Sequence, residues 1–471
     1  MPPQSWWRTA LSAGWTAPRS PRSFSGAGSI RSRPLLRPKR LDNPISHIYH
    51  HPRPEIPATQ SKEIYTMFNA AIIGVSGFGD VHYRDLVREH AAGRVNIVAA
   101  TVINQEEEAK KCDFLRSVGC RIYTDYRDML RDFAGKIDVC FIPTGIALHM
   151  PMTVAALEAG ANVYVEKPVA PTFADAEKMV EASKRTGRFV AVGYQTMYQP
   201  ETRRIKECVL SGRLGKIRVL KSYGLWPRDD SYYHRNNWAG KLTVSGAPIL
   251  DSPVTNAFAH FLNLLIFYAG DSFTGTAEAR SIQAGLFRAN PIESFDTASL
   301  KIATADGKEL LFYVTHCSEA NVNPVSAIEG DLGRIEYDEK NMRIILNSGE
   351  TEEYPMTGWE QMRINIFNQL EKRLADPDAF ICTAEIAMNH TRVTNAMFDS
   401  ATIATVPADS FRVVADANGV ERRVIPGIDD AIRRAYAENR MLNAADFPWA
   451  VPTPEFSLDG YRSFRGTLIH A

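Results

Sequence analysis

From residue 67 onward the chain reads as short apolar runs separated by stretches of helical character. Ala70–Val75 (AAIIGV) is an unbroken apolar run with the length of a buried parallel strand. Val95–Val102, Ile137–Pro143 and Asn162–Val165 are a second, third and fourth. Between them Tyr83–His90, a stretch ending in Tyr126–Phe133, and Met152–Ala159 read as helices, the last with Gly160 as its C-terminal cap. Strands alternating with helices at this spacing predict a parallel, doubly wound sheet. Farther along, Lys216–Tyr223, Ala298–Ala303, Glu309–His316, Arg334–Tyr337 and Met342–Leu346 are strand-like. Asp306-Gly307 marks a hairpin turn, and Asp331-Leu332-Gly333 precedes another strand. Thr255–Leu265 reads as helix.

The first apolar run opens directly into Gly74-Val75-Ser76-Gly77-Phe78-Gly79, then His82 and the first helix. This is the strand, glycine turn, helix order that brings backbone N–H groups and a helix N-terminus onto a pyrophosphate. The usual G-x-G-x-x-G keeps Gly74 and Gly79. Its middle glycine is Ser76, with Gly77 displaced by one. An Asp or Glu at the end of the second strand would favour NAD, but Val102, Ile103 and Asn104 stand there. Asn104 can hydrogen-bond either ribose, so the expected cofactor is NAD or NADP.

Composition changes the picture mainly at the N-terminus. Residues 1–66 hold 10 basic and 3 acidic residues and 10 of the 27 prolines, which predicts a disordered leader. It reads either as a mis-called start ahead of Met67 or as an organelle transit peptide; the prolines, which break an amphipathic helix, favour the first. The other 405 residues carry 44 basic and 51 acidic side chains, a net charge of −7 that argues against nucleic acid as a partner. No run of about 18 apolar residues occurs, so no membrane-spanning helix is expected. The six cysteines (Cys112, Cys120, Cys140, Cys208, Cys317, Cys382) form no CxxC and no metal-ligand spacing. They are expected as reduced thiols of a cytoplasmic protein, with no metal. No Walker lysine follows the glycine turn, there is no HExxH, and Gly193-Tyr194 lacks the serine of a nucleophile elbow.

At Glu166-Lys167-Pro168 the pattern resembles the Gfo/Idh/MocA oxidoreductases. The similarity is carried, in order, by the glycine turn with His82, Thr124-Asp125-Tyr126, His149 and Ala156–Gly160. After EKP it continues through Gly193-Tyr194, Pro200, Ser211–Ile217, Gly246–Asp251 and Ala384–Ala401, about residues 68–405 in all. It implies an α/β protein: an N-terminal Rossmann domain and a C-terminal α/β domain with a large, open, mostly antiparallel sheet. The expected boundaries are a leader at 1–66, the Rossmann domain at 67–195, a substrate and oligomerisation domain at 196–410 and a C-terminal extension at 411–471. The resemblance also implies a homo-oligomer, dimer or tetramer, formed through the C-terminal sheet. The extension's stretch Asn443–Pro454 is expected to wrap another subunit or close the cleft.

Oxidising a secondary alcohol needs a hydride acceptor, a group to take the hydroxyl proton, and donors that hold the substrate. By the resemblance, Lys167 and Asp251 are the catalytic pair, and Gly74, Ser76, Gly77, Phe78, Gly79, Asn104, Thr144, His149, Glu166 and Lys167 line the cofactor. The family's acid/base histidine, four residues beyond the aspartate, is Thr255 here, and its following aspartate is Phe258. A threonine hydroxyl cannot replace imidazole as a base near neutral pH. His260 is the nearest histidine in sequence and is carried as a catalytic candidate, although on an ideal helix it lies about 140° round from Thr255. His149, His234 and His316 are the others that could enter the cleft. Tyr223–Leu242 concentrates Trp226, Arg228, Tyr232, Tyr233, His234, Arg235, Asn236, Asn237 and Trp238, the aromatic faces and donors that a polyhydroxylated ring requires. Arg235, Asn237, Trp238, Thr255, Asn256 and His316 are the expected substrate contacts, and the paired acids Asp229-Asp230 are expected to face water. The expected activity is hydride transfer between NAD(P) and a hydroxyl carbon of a sugar, cyclitol or related polyol. The alternatives are an NAD-dependent, redox-neutral glycoside cleavage and a non-catalytic NAD(P)-binding sensor.

Overall fold

The computed structural model of the chain describes residues 67–466, so the expected leader lies outside the described residues. Six strands form the first sheet: β1 (Phe68–Ile73), β2 (Val95–Thr101), β3 (Arg121–Tyr123), β4 (Val139–Ile142), β5 (Asn162–Glu166) and β6 (Val190–Gly193). Their order is β3-β2-β1-β4-β5-β6 and every pairing is parallel. All residues of β4, β5 and β6 are buried, which is why those strands read as unbroken apolar runs. Two strands go beyond the four expected: β3 has three residues and β6 four, too short to carry a period. The strand order reverses between β1 and β4, and the crevice beyond their C-terminal ends is where ligands of such sheets bind.

Capping follows local chemistry. Asp125 accepts from Arg127 N–H at the start of the helix Tyr126–Asp132, and Thr172 from Asp175 N–H at the start of Phe173–Thr186. Gly160, at φ +89°, ends the helix His149–Glu158 as expected.

The second sheet has ten strands around β7 (Ile217–Leu225). On one side of β7 lie Val322–Gly330, Gly333–Tyr337, Asn341–Leu346 and Thr351–Pro355; on the other lie Glu309–Thr315, Thr297–Thr304, Ala279–Arg288 and Ile403–Thr405. Phe456–Ser457 adds to Ala279–Arg288. All ladders are antiparallel except β7 with Glu309–Thr315 and Ala279–Arg288 with Ile403–Thr405. Gly307, at φ +84°, makes the expected hairpin turn.

One face of this sheet packs on the helix Ala259–Tyr268 and on the late helix Ala384–Ser400, within the core that also includes the first sheet. Asn395 ties the late helix to the first half, accepting from Phe173 N–H (2.8 Å) and donating to Pro171 O (3.1 Å). The opposite face carries Leu225, Phe287, Leu311 and Tyr313 under the helix Ile428–Ala437. That helix applies Ile428, Ala431, Ile432 and Ala435, the one-faced stripe of an amphipathic helix. Tyr313 Oη donates to Arg440 O (2.6 Å), and Lys221 Nζ to Tyr436 O (3.0 Å) and Asn439 Oδ1 (2.7 Å). Asn443–Pro454, expected on another subunit or over the cleft, lies instead along the chain's own sheet. Trp449 meets Phe287 edge-on at 5.2 Å, and Thr453 N–H donates to Ala284 O at 2.9 Å. The extension thus packs on Leu225, Phe287, Leu311 and Tyr313 of this face.

Candidate active site

The glycine turn leaves β1 with Gly74 at φ +93° and Gly77 at φ +59°. A Cβ on Gly79 would lie 2.7 Å from Gly74 O, so the turn closes this tightly only on glycine. The N–H groups of Ser76, Gly77 and Phe78 have no acceptor among the described residues, and they precede the helix Gly79–Ala91. Thr144, at the end of β4, touches the turn: its Cγ2 would stand 3.7 Å from a Cβ on Gly74. Donors, cradle and switch point together suit a dinucleotide pyrophosphate. Phe78 is exposed, its ring edge-on to His82 at 5.7 Å.

At the corner after β2, Asn104 Nδ2 donates to Ser76 Oγ (3.1 Å) and to Glu107 Oε2 (2.9 Å). A carboxylate therefore does stand here, five residues past Val102, the position where sequence spacing seeks it. The acidic run Glu106-Glu107-Glu108 is the signal that could have found it.

Lys167 follows β5 directly. Its Nζ donates to Asn256 Oδ1 (2.7 Å) and Asn256 O (2.9 Å), while Asn256 Nδ2 donates to Asp251 Oδ1 (2.8 Å). Asp251 Oδ2 accepts from Gly240 N–H (2.7 Å) and lies 3.9 Å from Arg235 Nη2. Burial lowers the Lys167 pKa, against the pull of Glu166 and Asp251. Burial likewise raises that of Asp251, against Arg235, Gly240 N–H and Asn256. Each group is thus shifted toward its neutral form, and Asn256 joins the two, a link that its expected role as a substrate contact did not foresee.

Glu166 and His149, expected on the cofactor, are turned inward. Glu166 Oε1 takes His82 Nε2 (2.7 Å) and Gln195 Nε2 (2.8 Å), and Oε2 takes Lys167 N–H (3.1 Å). Burial would raise this carboxyl, but the His82 hydrogen bond and the neighbouring positive charges outweigh it and hold it below its ordinary value. A Cβ on Gly193 would sit 2.8 Å from that carboxylate, which accounts for the glycine of Gly193-Tyr194. The His149 ring is fully buried between Pro168 O (2.9 Å) and Thr144 O (3.1 Å), pinning the bend after Lys167 to the end of β4.

The helix expected over Thr255–Leu265 is broken. A single π turn, Pro253–Ala257, closes with Phe258 N–H on Pro253 O, five residues back (2.8 Å), and the α-helix proper is Ala259–Tyr268. The wide turn invalidates the ideal-helix angle between Thr255 and His260. Thr255 is spent on this turn: its hydroxyl donates to Leu250 O (2.6 Å) and its N–H to Ser252 Oγ (3.1 Å), so it offers the cleft no hydroxyl hydrogen. Phe258 stacks between Trp226 (4.3 Å) and His316 (5.6 Å), and a side chain at Gly224 would strike its ring at 2.4 Å.

Among the described residues, none of the candidate histidines His149, His234, His260 and His316 hydrogen-bonds Lys167, Asp251 or Asn256. His260 stands edge-on to Tyr194 at 5.7 Å with Nδ1 buried and unpaired; burial and the Lys167 charge push its pKa down to about 3. His316 is buried, its Nδ1 2.8 Å from Trp226 O, and burial holds it well below its ordinary value. His234 is exposed beside Asp230 O (2.7 Å).

Of the aromatic segment, Arg235 reaches the centre. Its guanidinium covers the Tyr232 ring at 3.7 Å and lies 5.0 Å from that of Trp238, and its Nη1 donates to Tyr232 O (2.5 Å). Asn237 is exposed. Asp229 and Asp230, expected to face water, are both engaged: Asp229 Oδ1 caps Tyr232 N–H (3.1 Å), and Asp230 pairs with Arg423.

Residues 68–194 match the GFO_IDH_MocA description, an oxidoreductase family with an NAD-binding Rossmann fold. The chain is 29% identical over 177 residues to a dTDP-3,4-didehydro-2,6-dideoxy-alpha-D-glucose 3-reductase of Streptomyces violaceoruber, covering 37% of this chain and 51% of that protein. It is 27% identical over 206 residues to an inositol 2-dehydrogenase of Azotobacter vinelandii, covering 44% and 55%. The match thus spans about half the length of these curated relatives. Among solved structures, levoglucosan dehydrogenase in complex with NADH and levoglucosan superposes with a TM-score of 0.60 at 17% identity, covering 71% of this chain and 97% of that one. The WlbA dehydrogenase of Bordetella pertussis, in complex with NADH and UDP-GlcNAcA, gives 0.57 at 19%, covering 71% and 96%. At such identities the likeness is one of fold.

Proposed function

From a Rossmann half that belongs to the Gfo/Idh/MocA oxidoreductase family, we propose that this chain is an NAD-dependent dehydrogenase or reductase of a hydroxyl carbon in a sugar, cyclitol or related polyol. The observation that carries the reading is Lys167, held by Asn256 in front of Asp251, at the end of the strand beside β4 and the glycine-turn crevice. Bound NAD supplies the hydride acceptor. Everything else falls to the chain. Gly74–Gly79 grips the pyrophosphate through backbone N–H groups, and the Asn104–Glu107 pair receives a ribose rather than a 2′-phosphate, which favours NAD over NADP.

Lys167 hydrogen-bonds the reacting oxygen and exchanges its proton, a task for which burial has already lowered the ammonium pKa. Asn256 fixes the direction of Nζ, and Asp251 fixes Asn256. Arg235 and the Tyr232 and Trp238 rings line the substrate side, where ring CH faces pack and hydroxyls find donors. No histidine is needed in this scheme.

One observation favours a second reading. Thr255 in place of the acid/base histidine suits a non-catalytic NAD sensor. The full chain incubated with NAD and a panel of cyclitols, aldoses and sugar acids separates the two. Growth of the near-ultraviolet absorbance of reduced nicotinamide with any member supports the dehydrogenase. Tight NAD binding with no absorbance change across the panel, in either direction of reaction, supports the sensor.

A further inference from the structure

The hairpin Arg412–Ala415/Glu421–Val424 opens the C-terminal extension and belongs to neither sheet. Its base is firmly fixed. Ile425 N–H donates to Cys317 O (2.9 Å), Arg422 Nη1 donates to Ser318 O (3.0 Å), and Asp429 accepts the N–H groups of Glu319 (3.1 Å) and Ala320 (2.8 Å). From that base the hairpin meets the aromatic segment twice. Arg422 forms an isolated antiparallel bridge with Asp229, and the Arg423 guanidinium pairs with the Asp230 carboxylate, their side chains only 15% and 30% exposed.

Asp229 and Asp230 begin the four-residue helix Asp230–Tyr233, which is far too short to hold itself together. Two adjacent carboxylates at one point also repel. Arg423 supplies the opposing charge. What the short helix carries matters: Tyr232 is the platform for Arg235, whose Nη2 lies 3.9 Å from Asp251. A contiguous set of contacts therefore runs from the hairpin through the Asp229-Asp230 pair, with Asp229 capping Tyr232, and on through Arg235 to Asp251, Asn256 and Lys167.

We propose that the C-terminal extension completes the substrate side of the cleft from within its own chain: the hairpin latches the Asp229–Arg235 segment, with Arg423 as the positioning residue. The latch sets where Arg235 stands and so how well substrate is held. It leaves the glycine turn and the nucleotide untouched. That this segment holds substrate rests on the dehydrogenase reading; that the hairpin holds this segment does not.

The test uses the full chain with Arg423→Met, Asp230→Asn, the double variant and Arg423→Lys. Amide hydrogen exchange of residues 230–238 should quicken about tenfold in either single variant and no further in the double, and Arg423→Lys should recover most of the protection. Exchange in β1–β6 and NAD affinity should stay as in the parent. With any polyol that the parent oxidises, KM should rise about tenfold in Arg423→Met while kcat stays within about twofold. Exchange at 230–238 within about twofold of the parent, or loosening that spreads equally into β1–β6, overturns the latch. If the parent oxidises no polyol, the dehydrogenase reading fails while the exchange measurement still decides the latch.

Discussion

Lys167 and Asp251 are joined through Asn256, whose side-chain oxygen accepts the lysine ammonium at 2.7 Å while its amide nitrogen donates to the carboxylate at 2.8 Å. One amide thus ties the end of the first sheet to the π turn of the second half. Because an amide donates on one side and accepts on the other, it fixes both partners' orientation without adding charge.

Replacing that amide tests the link. Asn256→Leu keeps the size, removes the side-chain acceptor from Lys167 and strips a donor from Asp251. Turnover should fall about 10²-fold with NAD affinity nearly unchanged. Asn256→Asp acts in the opposite electrostatic sense: the new carboxyl and that of Asp251, 2.8 Å away through the present hydrogen bond, must share one proton. The negative charge they keep now reaches the ammonium directly, which favours its charged form and raises the Lys167 pKa. The limb of the pH–rate profile on which neutral lysine appears should move about one unit to higher pH. A profile that stays in place would show that this lysine does not set the limb.

In the proposed function, Glu107 sets the preference for NAD over NADP. With its carboxylate hydrogen-bonded to Asn104 at the corner after β2, a 2′-phosphate would meet a negative charge. Glu107→Gln should narrow the ratio of NAD to NADP affinity about 10-fold or more, read by titrating both nucleotides. An unchanged ratio would assign the preference elsewhere.

The buried imidazoles predict acid sensitivity. Burial pushes His260 and His390 down to about 3, while in an unfolded chain they titrate at about 6.5. As pH falls through 6.5 the unfolded chain takes up protons that the folded chain refuses, so stability is lost from about pH 6.5 down to about 3. The slope is on the order of 1.4 kcal/mol per pH unit for each histidine. In urea unfolding at pH 7 and pH 5, His390→Leu should lose less stability between the two than the parent does. An equal loss would mean that His390 is not the neutral, buried group described.

Much of the fold was legible because burial on both faces leaves a direct mark. AAIIGV and IDVCFIP became β1 and β4 within two residues, and the glycine turn followed β1 as read. Arg121–Tyr123 left no such mark, since three residues, one exposed and two half-buried, carry no period. The candidate residues Lys167, Asn256, Asp251 and Arg235 do lie together, but their directions were not legible. Glu166 and Lys167 are neighbours, yet one points into the core and the other toward Asn256. Thr255 was a visible departure, but its hydroxyl is consumed by a π turn that an ideal-helix projection cannot contain. Asp229-Asp230 resembled any solvated acidic pair, because the arginine that engages it lies nearly two hundred residues later.

In the proposed chemistry the proton passes through Lys167. In the full chain, Lys167→Ala should lower turnover of an oxidised polyol by about 10²–10⁴ while NAD affinity stays nearly intact. Turnover equal to the parent's in a variant that still binds NAD would contradict it.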